Sequence, residues 1–63
     1  MNYEVIRGER EFKLTLDSVV VLTVVVDDLI DAYYNSASWY AGELSFSVFS
    51  YNYLVDLHKR AQS

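Results

Sequence analysis

Acidic side chains at short spacing are the first groups in this sequence that could do chemistry: Asp27, Asp28 and Asp31, with Glu43 further along. Clustered carboxylates can hold Mg²⁺ or Ca²⁺ as hard oxygen ligands, but the ligand spacing of a calcium-binding loop is missing here. The same carboxylates suit the first turn of a helix, whose positive dipole end they stabilise, so no metal is assigned to them. Asp56 and His58 are the acid and imidazole closest in sequence; on a strand they would share a face and could exchange a proton. With no cysteine, a single histidine and two glycines, Gly8 and Gly42, the chain lacks a thiol nucleophile, a histidine pair and a glycine-rich phosphate loop. It is read as a non-enzyme that uses no cofactor.

The aromatic residues are the stronger lead. Five of the six tyrosines and the single tryptophan fall between residues 33 and 53: Tyr33, Tyr34, Trp39, Tyr40, Tyr51 and Tyr53. Tyr and Trp combine apolar area with a polar tip at small entropic cost, which is why contact hot spots are rich in them. A division between core and surface is expected, with Tyr34, Trp39 and Tyr40 assigned to a partner-binding surface beside Asp27, Asp28, Asp31 and Glu43.

Charge sharpens this. Residues 1–13 balance Glu4, Glu9 and Glu11 against Arg7, Arg10 and Lys13, whereas residues 14–57 hold six acids and no Lys or Arg. The net charge is −4, and no basic face with interleaved aromatics is present, so direct binding to nucleic acid is not expected. The start, MNYEVIRGERE, is charged and lacks the apolar core of a secretory signal, which points to a cytoplasmic location. The longest apolar stretch, Val19 to Val26, falls far short of the roughly 20 residues of a membrane-spanning helix.

The elements that must position these groups form a single small α+β domain over residues 1–63. Gly8-Glu9 suits a two-residue type II′ turn, giving an N-terminal β-hairpin over about residues 2–16. That turn sets Tyr3 opposite Leu14 and Val5 opposite Phe12 on one face, Glu4 opposite Lys13 on the other, and Arg7 opposite Arg10 at the tip. SVVVLTVVVDDLID follows, and the seven β-branched residues in its stretch 19–26 favour a third strand there. The alternative is a helix reaching back to Ser18 as its N-cap. Asp17-Ser18 provides a second, weaker turn signal that places Leu16 beside Val19 and Leu14 beside Val21. A main helix is expected over about 27–37, capped by Asp27 and stopped at Asn35 or Gly42. The alternation in ELSFSVFS predicts a strand over about 43–50, and the C-terminal segment reads as a strand or, over 53–60, a short helix.

A valine run that is apolar on both faces needs cover on both, and a chain of 63 residues cannot supply it alone. Ile6, Val20, Leu22, Val24 and Val26 are therefore assigned to a self-association face, and the chain is expected to form a homo-oligomer, most simply a dimer. As a class it is read as a small acidic protein–protein interaction module. By analogy with compact acidic inhibitors, many of them encoded by phages, it would occupy a basic, nucleic-acid-binding site on another protein. The alternatives are a self-assembling structural protein with no foreign partner and a small metal-dependent or acid/base enzyme.

Overall fold

The computed structural model describes residues 2–36 and 45–62. Three strands, β1 (Tyr3–Arg7), β2 (Glu11–Leu16) and β3 (Val19–Val25), form an antiparallel sheet in the order β1-β2-β3. β3 runs directly into helix α1 (Val26–Tyr34), and a longer helix, α2 (Phe46–Gln62), follows. The α+β class read from the sequence holds, as do the hairpin, the third strand and the main helix.

The hairpin register differs from the expected one by two residues. Tyr3 pairs with Leu16, Val5 with Leu14 and Arg7 with Phe12, and Gly8 N–H donates to the Glu11 carbonyl at 2.8 Å, so Glu9-Arg10 is the turn. A shift of two preserves which side chains face inward, so the Tyr3, Val5, Phe12 and Leu14 face survives. It also separates the two arginines, placing the Arg7 guanidinium over the Phe12 ring at 5.1 Å. Lys13 sits opposite Ile6 and reaches Glu11 at 3.9 Å, not Glu4 as expected. At the other end Asn2 and Asp17 clasp the strands: Asn2 N–H donates to Asp17 Oδ1 at 3.2 Å and Asp17 N–H donates to the Asn2 carbonyl at 3.0 Å. Gly8 is needed for close approach, since a Cβ there would lie 3.0 Å from the Glu11 carbonyl oxygen.

Left-handed backbone appears instead at the second turn. Asp17 and Ser18 have φ of 51° and 70°, the pair of positive values that marks a type I′ hairpin turn. Ser18→Gly is therefore expected to stabilise the fold by about 1 kcal/mol, because glycine takes that conformation without the Cβ penalty. A higher urea midpoint at unchanged slope is the measurement that checks it.

A β-bulge in β3 decides which valines are covered. Thr15 pairs with Val20 but Leu14 pairs with Leu22, so Val21 is an extra residue on β3. The bulge reverses the alternation: Leu22 and Val24 turn inward with Val21, while Val20, Thr23 and Val25 face outward beside Thr15, Lys13 and Glu11. The proposed self-association set is thus divided. Leu22, Val24 and Val26 pack on the core of Phe12, Leu14, Leu29 and Leu54, whereas Ile6 and Val20 stay on the outer face, 50% and 49% exposed.

Residues 46–50, expected within a strand over 43–50, are the first turns of α2, and the alternative helix at 53–60 is its continuation. Residues 43 and 44 lie outside the described residues. Both helices cover the inner face of the sheet: Leu29 of α1 and Leu54 of α2 join Phe12 and Leu14 in the buried cluster. Ser50, also buried, satisfies its hydroxyl on the Phe46 carbonyl at 2.7 Å. Among the described residues, no helix is long and apolar enough to cross a membrane.

Candidate functional site

α1 begins where the hairpin loop holds it. Val26 N–H donates to the Arg10 carbonyl at 2.8 Å, satisfying one of the amides that a helix start leaves open. The N-cap is Val25, not Asp27 as expected, and no side chain caps the helix. Asp27 and Asp28 instead occupy the first turn, where the dipole favours them. The helix closes at Asn35, one of the two expected stops, with its N–H on the Asp31 carbonyl at 3.1 Å. It is three residues shorter than the expected 27–37 at its C-terminal end, because Ser36 turns back and its hydroxyl donates to the Tyr33 carbonyl at 2.7 Å.

Burial of Leu29 fixes the rotation of α1, and the opposite side faces solvent. Asp27, Ile30, Asp31 and Tyr34 stand at i, i+3, i+4 and i+7, so they form one outward stripe, with Asp28 at its flank. Ile30 is 37% exposed and Tyr34 51%. Four of the predicted partner-binding residues, Asp27, Asp28, Asp31 and Tyr34, are thus brought to one exposed helix. The other three, Trp39, Tyr40 and Glu43, lie outside the described residues. Ile30 is the member of this stripe that the sequence reading did not assign to the partner-binding surface. Its position between Asp27 and Asp31 on a helical wheel was the available signal.

Among the described residues the aromatics divide between packed and half-exposed rings. Tyr33, Phe46, Phe49 and Tyr53 form a chain of rings, with centroids 5.4 Å apart for Tyr33 and Phe46, 5.2 Å for Tyr33 and Phe49, and 5.4 Å for Phe49 and Tyr53. Phe46 also meets Phe12 edge-on at 5.8 Å, tying this chain to the sheet. Tyr51 is half exposed, as is Tyr34, whose ring lies 5.7 Å from that of Tyr33.

The proton-exchange pair does not form. On α2, Asp56 and His58 are about 200° apart around the helix, where a strand would have aligned them. Asp56 pairs with Arg60 at 2.8 Å one turn on, and His58 turns to the sheet, its Nδ1 3.0 Å from the Tyr3 hydroxyl. Tyr3, Leu16, His58, Lys59 and Gln62 line an open depression of about 310 Å³ there. A second hollow, of about 410 Å³, lies at the hairpin tip among Ile6, Glu9, Arg10 and Lys13, where charges of both signs alternate. Among the described residues no three acidic, histidine or cysteine side chains gather as metal ligands, so Asp27, Asp28 and Asp31 do not converge on one point. No family model matches the chain, and no curated protein and no solved structure matches it either.

Proposed function

We propose that this chain is a small acidic interaction protein that acts by occupying a basic site on another protein, with α1 as the contacting element. The outward stripe of α1 carries the reading. Asp27 and Asp31 present carboxylates on the same face as the exposed apolar groups of Ile30 and Tyr34. A helix that docks in a groove is read through this i, i+3, i+4, i+7 spacing, with apolar anchors supplying area and charges setting register. Residues 14–57 contain no Lys or Arg, so α1 has no cation of its own to neutralise the stripe. Surfaces built to bind phosphates offer complementary charge, which makes a nucleic-acid-binding protein the partner class and inhibition by occupancy the effect. The reading includes self-association as a dimer and sets the encounter in the cytoplasm.

A photo-crosslinking residue in place of Tyr34, introduced in cells of the source organism, tests this. The expected adduct lies on a Lys- and Arg-rich surface of a nucleic-acid-binding protein, and its yield falls about tenfold or more when Asp27→Lys and Asp31→Lys are combined. Adducts that persist in the double variant, or that map to a neutral or acidic surface, would remove the basis for the proposal.

A further inference from the structure

The two edges of the sheet differ in a way that bears on association. β1 carries Glu4 and Arg7, charges of the kind that keep a free edge from pairing. β3 carries none: its sequence VVVLTVV is uncharged and free of proline, in a chain where 14 of 63 residues are charged. Among the described residues β3 pairs only with β2. Antiparallel pairing engages alternate residues, so the intervening N–H and C=O groups of β3 point away from β2 toward an open edge. Val20, Thr23 and Val25 are exposed along it.

We infer that β3 pairs antiparallel with β3 of a second copy about a two-fold axis, joining two three-stranded sheets into one of six strands in the order β1-β2-β3-β3-β2-β1. Self-pairing suits this edge because an antiparallel strand is its own complement under two-fold rotation, each outward N–H meeting a C=O of the other copy. Charge selects the same partner. Two copies of net charge −4 repel over most of their surfaces, and β3 is a seam that brings no charged side chain to the contact. A basic partner gains no Coulomb energy from an uncharged strand and is drawn to α1 instead.

The flanks of the seam determine how the assembly responds to salt. Asp17 precedes β3 and Asp27 and Asp28 follow it, so antiparallel pairing sets Asp17 of one copy near Asp27 and Asp28 of the other. Screening these like charges, with a Debye length falling from about 10 Å at 0.1 M to about 3 Å at 1 M, tightens the assembly. This pairing rests on the self-association included in the proposed function; binding of a basic partner by α1 responds to salt in the opposite direction, so failure of the dimer and failure of the α1 contact are distinguishable.

Sedimentation equilibrium across a dilution series at low and high sodium chloride is the test. The expected result is a mass approaching twice the 7.3 kDa of one chain, reached at lower protein concentration as salt rises. Two matched variants locate the contact. Ile6 and Thr23 flank Lys13 in one cross-strand row of the outer face, so a glutamate at either gains the same neighbour and adds the same charge. Thr23→Glu is expected to leave only monomer, whereas Ile6→Glu retains the dimer, both with wild-type circular dichroism. Amide hydrogen exchange on the unmodified chain reads the contact without substitution: outward amides of β3 slow with concentration, and those of β1 do not. A monomer under all conditions, a dimer that loosens with salt, or dissociation by Ile6→Glu would overturn the inference, the last pointing to face-to-face packing.

Discussion

Leu54→Ala is expected to remove about half of the folding free energy and to raise the unfolded-to-folded ratio at room temperature by about thirtyfold or more. Leu54 is fully buried where α2 crosses the sheet, in one cluster with Phe12, Leu14 and Leu29. Truncating such a leucine costs about 2–5 kcal/mol, the lost transfer energy plus the cavity left behind. A chain of 63 residues has in total about 3–9 kcal/mol at the usual 0.05–0.15 kcal/mol per residue. The core has only these four fully enclosed apolar side chains among the described residues, so neighbours have little freedom to close the gap. Urea unfolding followed by circular dichroism checks the result, and Leu54→Met, which conserves volume, is expected to cost less than about 1.5 kcal/mol. A wild-type midpoint for Leu54→Ala would mean that α2 does not seat on the sheet through this residue.

The elements that could be read from the sequence are those where local preference and tertiary demand agree. β3 is one. Its β-branched residues fit a pleated strand, and the strand carries them. The parity of the hairpin was legible because side chains alternate whatever the register, but the register depends on which two residues make the turn. Gly8 suggested a left-handed turn at Gly8-Glu9, whereas its role is close approach to Glu11 beside a turn at Glu9-Arg10. The bulge at Val21 left little mark in the run VVVLTVV: moving the alternation by one residue exchanges valine for valine except at Leu22 and Thr23, where it brings the leucine inward and turns the threonine outward. For this reason a self-association face was assembled from Ile6, Val20, Leu22, Val24 and Val26, which the fold divides between outside and inside.

The candidate site was legible to a similar degree. Asp27, Asp28, Asp31 and Tyr34 were identified from charge and helical spacing, which depend on α1 alone. The Tyr3–His58 contact joins residues 55 apart in sequence, and nothing local announces it. His58 also helps to explain why the sequence predicts a strand over about 43–50 and leaves 53–60 open between a strand and a short helix. The inward face of α2 runs through Phe46, Ser50, Leu54 and His58, so two of four positions are polar and the helical period is diluted. Each polar residue has a private partner, the Phe46 carbonyl for Ser50 and the Tyr3 hydroxyl for His58, so burying them leaves no orphaned group. Meanwhile Phe46 and Val48, then Phe49, Tyr51, Tyr53 and Val55, imitate the alternation of a strand.

Asn52 separates the helical assignment from the strand that the alternation suggested, through two substitutions of opposite sign at an exposed position in the middle of α2. In a helix, Asn52→Pro removes the amide that bonds the Val48 carbonyl and drives the ring into that carbonyl, costing about 3 kcal/mol or more. That is about a third or more of the 3–9 kcal/mol expected of a chain this short, so the helical circular dichroism should be lost, together with the Leu54 contacts, at a much lower urea concentration. Asn52→Ala is expected to raise stability by about 0.6 kcal/mol, because alanine neither competes for backbone hydrogen bonds nor loses side-chain freedom. Since the Asn52 side chain faces solvent, neither change alters the core, and both act through the backbone of α2. A strand at this position would give a different pair of results: proline is tolerated on an edge strand with its nitrogen outward, and alanine is a poor strand residue. Loss of structure at lower urea with proline, together with a higher urea midpoint with alanine, is the outcome that only a helix through residue 52 produces.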